Sequence, residues 1–389
     1  MKPKLLIFIN SLRYGGAERV VSHLLEHMKN DFEIHLALYS RGIDYYIPPE
    51  IKIFDLKQPE KESAYIVFAK IPYLSYKLYR YCKKNKIKSS VAFLNRPCYM
   101  NALMRSLWGF KGNIVMCERT HQSTRLELNS MIYGIVSKAL VKFSYKRADL
   151  VLANSYAMKA DLIENFKIKT PIRVIYNPID LRSIKTQSLL PSPFTFDKGT
   201  YYFIAVGGFR SDKNFPLLLQ AFYIIKNLPV KLIIVGGGEL EGMITNTIAT
   251  LGIGDKVILT GFDVNPFKYM ARSNCFVLSS FVEGFPNVLL EALACGLPII
   301  STDCKSGPRE LLAPGSDINY EAFTDYKLEK FGILTPVNDV AILAAAMKKM
   351  YEDKTLSEYY SSKAFGRAAQ YDIDEIRQYF HVAFSPSQP

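Results

Sequence analysis

Glu283 and Glu291 stand eight positions apart in the stretch FVEGFPNVLLEALACGLPII, residues 281–300. Glu283 falls in a turn broken by Gly284 and Pro286, and Glu291 falls inside an apolar run of helical spacing. Pro286 suits an early helix position, Asn287 and Val288 its first turn, and Gly296 with Pro298 its end. The free amides of such a helix start form a seat for a diphosphate. From there Glu291, about one turn on, would accept from the vicinal hydroxyls of a ribose. Glu283, with Gly284 and Phe285 on the preceding loop, would reach the sugar beyond the diphosphate. The two carboxylates then grip the two ends of a sugar nucleotide. A solvated surface helix is the plain alternative, and the β-rich runs NCFVLSS and PIISTD on either side argue against it.

Such a helix has to be held between strands. The first half of the chain alternates helical stretches with LLIFIN (5–10), EIHLALYS (33–40), IKIFDL (51–56), SVAFLN (90–95), NIVMCE (113–118), DLVLANS (149–155) and RVIYNPI (173–179). These runs are apolar throughout rather than alternating, as in parallel strands covered on both faces. SIKTQSLLPSPFTFDKGT (183–200) is polar, Pro-rich and aperiodic, and reads as a linker. A second series follows at YYFIAVGG (201–208), KLIIVGGG (231–238), KVILTGF (256–262), CFVLSS (275–280), PIISTD (298–303) and GILTP (332–336). The spacing predicts an α/β protein of two doubly wound, Rossmann-like domains, 1–185 and 200–365. Residues 366–389 are expected to form a helix packing back on the first domain. Open parallel sheets bind ligands at the carboxyl ends of their strands, so the active site is expected in a cleft where two such edges meet.

Other groups fall on those edges. Gly15 and Gly16 follow the first strand and open a helix, a backbone suited to an anion. No third glycine or acidic residue completes a dinucleotide fingerprint, and a bare tight turn is the alternative. Gly236, Gly237 and Gly238 end a strand before Glu239. Glu118, Arg119 and His121 end another. For a lone histidine such as His121, a structural role competes evenly with a catalytic one. The six cysteines are scattered with no C-x-x-C pair, which predicts free thiols in a reducing compartment and no zinc site.

The motif E-G-F-P-N-x-x-x-E-A-x-A-C-G (283–296) resembles the E-x7-E signature of retaining glycosyltransferases with the GT-B fold, family 4. The likeness runs on through GGAER (15–19), K-N-F (213–215), GGGEL (236–240) and LTGFDVNPFKYMARSNCFVLSS (259–280), covering almost the whole chain. FLNRP (93–97) and DCKSGPREL (303–311) are similar to bacterial α-1,4-N-acetylgalactosaminyltransferases that extend undecaprenyl-diphosphate-linked glycans. The resemblance implies Glu283, Lys213 and His121 as catalytic groups. It implies a UDP-sugar seat drawn from Gly15, Gly16, Arg210, Lys213, Gly237, Glu239, Phe262, the turn 283–288 and Glu291. It places Asn95, Arg96 and Arg119 on the acceptor side. In one place the chain departs from the family. Gly208 occupies the usual arginine slot, so the diphosphate falls to Lys213 and the helix amides, or to Arg210 swinging back.

The implied reaction retains the anomeric configuration, with the leaving phosphate taking the acceptor proton. No D-x-D pair stands at a strand end, so no essential metal or other cofactor is expected. The charge suggests a further partner. Of 49 Lys and Arg, 31 lie in residues 1–185 with only 15 of 36 Asp and Glu, a net +16 that leaves −3 for the rest. IPYLSYKLYRYCKKNKIK (71–88) sets Ile71, Leu74, Leu78, Tyr81 and Cys82 on one helical face, with Lys77, Arg80, Lys83 and Lys84 around it. That reads as a helix lying on an anionic membrane, as does SMIYGIVSKALVKFSYKR (130–147). Core-facing amphipathic helices are the alternative. No nucleic-acid-binding signature is present. No apolar run is long enough to span a bilayer, and the N-terminal LLIFI is too short for a signal peptide. These features predict a cytoplasmic protein peripheral to the inner face of the membrane. The partners expected are a nucleotide sugar and a polyprenyl-diphosphate-linked glycan. A lipopolysaccharide or capsule transferase with another hexose donor, or a non-catalytic sugar-nucleotide scaffold, is the rival reading.

Overall fold

The computed structural model describes residues 2–60, 62–127, 131–318 and 324–385. The first part runs β1 (Lys4–Ile9), α1 (Gly16–Met28), β2 (Glu33–Leu38), β3 (Lys52–Asp55), α2 (Ala64–Asn85), β4 (Ser89–Phe93) and α3 (Asn95–Trp108). It continues with β5 (Asn113–Cys117), α4 (Gln122–Glu127), α5 (Met131–Tyr145), β6 (Leu150–Ala153), α6 (Tyr156–Glu164) and β7 (Ile172–Val174). Its strands form one parallel sheet in the order β3-β2-β1-β4-β5-β6-β7. β1 shows why the runs are apolar throughout. Its Leu6 and Phe8 point into a core with α2, α3 and α5, and its Leu5, Ile7 and Ile9 into a second core with α1 on the other face.

The second part runs α7 (Leu181–Ser188), β8 (Tyr201–Val206), α8 (Phe215–Ile224), β9 (Val230–Val235), α9 (Glu241–Leu251), β10 (Val257–Gly261), α10 (Phe267–Met270) and β11 (Cys275–Leu278). It ends with α11 (Asn287–Ala294), β12 (Ile299–Thr302), α12 (Pro308–Leu312), β13 (Lys327–Glu329), β14 (Gly332–Thr335), α13 (Val340–Glu352) and α14 (Lys354–Ala369). This sheet has the order β10-β9-β8-β11-β12-β14-β13, parallel except for the antiparallel edge strand β13. Three residues with Lys327 and Leu328 exposed leave β13 too short and too polar to register as a run. The last helix, α15 (Ile373–Phe384), belongs to the first unit. Its Ile376, Phe380, Ala383 and Phe384 fill the core beneath α1, and Ser89 Oγ donates to the Phe384 carbonyl at 2.8 Å.

The two compact units are therefore residues 1–178 with 373–389, and 179–372. The stretch expected to open a linker at 183 instead forms α7, because Asp180 caps it by accepting from the Ser183 amide at 2.8 Å. Three further differences bear on function. β3 is an edge strand with Lys52 and Ile53 exposed, so IKIFDL is not covered on both faces. Asn95 opens α3 rather than ending a strand. The apolar face of α2 is not free for a membrane, since Ile71, Leu74, Leu78 and Cys82 are buried in the core and Tyr81 stacks on Phe54 at 4.1 Å. Periodicity alone treats a core-facing and a lipid-facing helix alike. What α2 leaves outside is a different face, with Tyr65, Ile66, Phe68 and Tyr73 toward its start and Lys77, Arg80, Lys83 and Lys84 toward its end. In α5, Val141, Ser144 and Tyr145 are likewise buried, while Ile135 and Val136 are exposed. Ser130, at the start of the second stretch proposed for the membrane, lies outside the described residues.

If α2 is a core helix, Leu78→Ala should lower unfolding free energy by about 2–5 kcal/mol, the cost of a buried cavity. Lys77→Ser on the outer face should change it by no more than about 0.5 kcal/mol. Chemical denaturation of the two variants measures both.

Candidate active site

Polar and charged groups gather at the carboxyl edge of the second sheet. β11 and β12 are fully buried and carry no charged side chain, so the charged groups of the chain between them lie beyond their ends. Val282 and Phe285 are buried anchors of the intervening loop, and Phe285 packs on Tyr371 at 5.6 Å. Hydroxyls tie the loop's backbone. Thr302 Oγ1 donates to the Ser280 carbonyl at 2.6 Å, and Ser306 Oγ donates to the Gly284 carbonyl. Gly307 lies directly under the loop. Its φ is +92°, and a Cβ there would stand 2.5 Å from Pro286 Cδ. α11 then begins at Asn287, with Pro286 as the residue before its first turn.

The loop after β8 meets this one. Ser211–Lys213 form one 3-10 turn, and Asn214 takes a left-handed conformation at φ +47°. The Phe281 amide donates to the Asp212 carbonyl at 2.8 Å, and Ser279 Oγ donates to the Lys213 carbonyl at 2.9 Å. The result places Lys213 Nζ 2.5 Å from Glu283 Oε1, which also accepts from Ser280 Oγ at 2.7 Å. Glu283 is buried, and a buried carboxylate is tolerable there because it is paired and hydrogen-bonded. Glu291 is also buried, one turn into α11 and two turns beyond Glu283.

The remaining expected donor groups divide. Gly237 lies against Phe262, whose ring is largely exposed at the end of β10. Gly236 has the tighter backbone approach, since a Cβ there would stand 2.0 Å from the Gly207 carbonyl oxygen. Glu239 is exposed. Arg210 does not reach toward Glu283. Its Nε and Nη2 donate to Asp212 at 2.9 and 2.7 Å. Burial alone would raise the Asp212 carboxyl, but Arg210 and then Lys213 hold it below its ordinary value.

On the first unit, α1 begins at Gly16, with Gly15 as its extended cap residue. Across the carboxyl edge of that sheet, Glu118 is the hub. Its buried carboxylate accepts from the Arg119 and Thr120 amides at 2.8 and 3.0 Å, and from Gln122 Nε2 and Tyr145 OH at 2.6 Å each. Burial nevertheless holds its carboxyl above the ordinary value. Gln122 also donates to Asn95 Oδ1 at 3.1 Å, which fixes Asn95 to the same loop. Arg96 stacks over Tyr39 at 4.3 Å. Arg119 stacks over Phe93 at 4.8 Å and donates through Nη1 to Asn177 Oδ1 at 2.5 Å. Its Nε and Nη2 are buried without a hydrogen-bond partner, and so are Asn10 Oδ1 and Asn154 Oδ1 at neighbouring strand ends. Burial lowers the Arg119 guanidinium from its ordinary value. His121 is buried, with Nδ1 3.0 Å from Thr124 Oγ1 and 3.8 Å from Asp161. Lys77, Arg80, Lys83 and Lys84 line an open groove of about 1140 Å³ beside Phe54 and Tyr73.

Sequence reasoning missed Ser279, Ser280, Ser306, Gly307 and Asn177. Serines and asparagines at strand ends are common, and only the fold shows which atoms they touch. The SG of DCKSGPREL was the one visible signal. Among the described residues, no group of three or more His, Cys, Asp or Glu is placed to hold a metal ion, and no helix is long and apolar enough to cross a membrane.

Residues 14–183 match the family model "Glycosyltransferase Family 4", and residues 188–367 match "Glycosyl transferases group 1". The chain is 38% identical over 375 residues to a Campylobacter jejuni protein, covering 96% of this chain and 97% of that one. That relative is N-acetylgalactosamine-N,N'-diacetylbacillosaminyl-diphospho-undecaprenol 4-alpha-N-acetylgalactosaminyltransferase. The fold is similar to that of a sucrose-phosphate synthase from Thermosynechococcus elongatus, with TM-score 0.82 at 17% identity over 98% of both chains. It is also similar to that of Anabaena HepE in complex with UDP-glucose, with TM-score 0.74 at 20% identity over 98% of both chains.

Gly307 supplies a test of how tightly the Glu283 loop is set. Gly307→Ala forces a side chain into a left-handed backbone and against Pro286, so it should cost at least about 1 kcal/mol of stability. It should also weaken nucleotide-sugar binding by moving the start of α11. Thermal melting and titration calorimetry read the two effects.

Proposed function

The chain belongs to the group 1, family 4 glycosyltransferases of GT-B fold, and we propose that it moves N-acetylgalactosamine from its UDP donor to a polyprenyl-diphosphate-linked glycan. The observation that carries the donor half is the buried contact of Lys213 with Glu283 at the mouth of α11, with Glu291 buried further along the same helix. In this reading Glu291 accepts from the ribose hydroxyls, and Phe262 offers a face to the base. Lys213 and the first amides of α11 neutralise the diphosphate. Glu283 takes a hydroxyl of the transferred sugar. The bond from the anomeric carbon to the leaving phosphate oxygen breaks as the acceptor oxygen bonds on the same face. The phosphate oxygen so released takes the acceptor's proton. Positioning and charge stabilisation carry the rate, a scheme that calls for no divalent ion. On the acceptor side, the unmet nitrogens of Arg119 and the neighbouring Asn95 suit sugar oxygens.

The sugar and the lipid carrier rest on the activity of the Campylobacter relative. A panel of UDP-GalNAc, UDP-GlcNAc, UDP-glucose and UDP-galactose with a polyprenyl-diphosphate glycan acceptor tests them by UDP release. The highest turnover is expected with UDP-GalNAc. A clear preference for a hexose donor would replace this reading with that of a lipopolysaccharide or capsule transferase.

Glu291→Ala should weaken UDP binding by about 1.5–3 kcal/mol, the contribution of a hydrogen bond to a charged group. Calorimetry giving equal UDP affinity for wild type and variant would remove the ribose assignment.

The lipid carrier places the protein at a membrane surface, and the outer face of α2 is the side we assign to it. Each near-surface Lys or Arg contributes about 1 kcal/mol of attraction to anionic lipid, an effect that fades with salt. Changing Lys77, Arg80, Lys83 and Lys84 together to Ser should release the protein from anionic vesicles at moderate salt. Turnover of a short detergent-soluble acceptor should be largely retained. Continued vesicle binding in a sedimentation assay would move the membrane contact elsewhere.

A further inference from the structure

Glu283 makes its contacts with one oxygen. Lys213 Nζ and Ser280 Oγ both donate to Oε1, at 2.5 and 2.7 Å, and Oε2 lies outside that pair of bonds. Ser280 is itself fully buried, and its carbonyl is held by Thr302 Oγ1 at 2.6 Å. Its hydroxyl thus comes from a rigid point at the end of a buried strand. The adjacent Ser279, also buried, does something separate. Its Oγ donates to the carbonyl of Lys213 at 2.9 Å and so holds the lysine's backbone.

We infer that Ser280 is a positioning residue for the transfer step, the donor that keeps Glu283 aimed when Lys213 turns its charge to the diphosphate. This rests on the reading of Lys213 as the diphosphate contact and Glu283 as the sugar contact. The physical need is simple. Two donors fix Oε1. An ammonium that moves to a diphosphate weakens its hold on the carboxylate, and Ser280 Oγ then keeps that oxygen in place. A glutamate has three rotatable bonds, so losing its anchor would let Oε2 wander from the sugar hydroxyl it must accept from. Ser279 acts one step earlier, on where Lys213 starts.

Two single variants and one cycle test this. Ser280→Ala should lower kcat about tenfold, the effect of one net hydrogen bond of about 1.4 kcal/mol. UDP affinity by calorimetry should stay within about twofold. Ser279→Ala should instead weaken UDP binding, with less effect on kcat than Ser280→Ala has. Ser280→Ala made on top of Glu283→Ala should cause no further loss, because a residue acting only through Glu283 has nothing left to position. An unchanged kcat in Ser280→Ala, with Glu283→Ala strongly impaired, would overturn the positioning role and leave the reading of the site intact. A further drop in the double variant, or a fall in UDP affinity matching the fall in kcat, would mark Ser280 as a general structural support and also overturn it. An unimpaired Glu283→Ala would remove the sugar contact itself, and this inference with it.

Discussion

A parallel strand covered on both faces leaves little room for charged side chains along its length, so charged groups gather where the strand stops. Both units obey this constraint. β1, β4 and β11 are buried almost end to end, and the polar residues of interest begin one or two positions after each of them or their neighbours. Ser279 and Ser280 follow β11, Glu118 and Arg119 follow β5, and Asn154 follows β6. The loops there stay ordered because apolar residues within them, such as Val282 and Phe285, return to the core. Polar groups between these anchors are then held where water is largely excluded, and their hydrogen bonds matter more.

The same constraint explains the contrast between the two edges. On the second unit, the polar groups around Glu283 pair with each other, Lys213 with Glu283 among them, while Thr335 Oγ1 at the end of β14 is buried without a partner. On the first, Glu118 collects four donors while Arg119, Asn10 and Asn154 keep buried atoms without partners. Buried polar atoms without partners are costly and uncommon.

The basic half of the chain shows how charge and apolar pattern divide on one helix. α2 spends its aliphatic face on the core, so its lysines are not the rim of a buried interface but an outer face in their own right. The aromatic start and basic end of that outer face lie along the helix rather than around it. A helix can therefore be essential to folding on one side and available to a partner on the other.

Much of the framework was determined by the sequence by itself. Thirteen apolar runs marked thirteen of the described strands, most of them because a strand covered on both faces is apolar throughout, while the edge strand β3 shows the same kind of run with Lys52 and Ile53 exposed. The turn-and-helix around Glu283 and Glu291 was legible for the same reason, with glycine and proline marking where the helix starts and stops. Only the tertiary structure decided what amphipathic spacing and isolated polar letters leave open. The face of α2 went to the core because α3 and the sheet cover it, and periodicity cannot name the covering partner. α15 rejoined the first unit through Phe380 and Phe384, a contact hundreds of residues away along the chain. Arg210 turned to Asp212 two residues on, and Ser280 turned to Glu283, because side-chain direction at a strand end depends on how the neighbouring loop is packed. A hydrogen bond needs donor and acceptor about 3 Å apart, and no spacing in one dimension sets that distance across loops that meet only after folding.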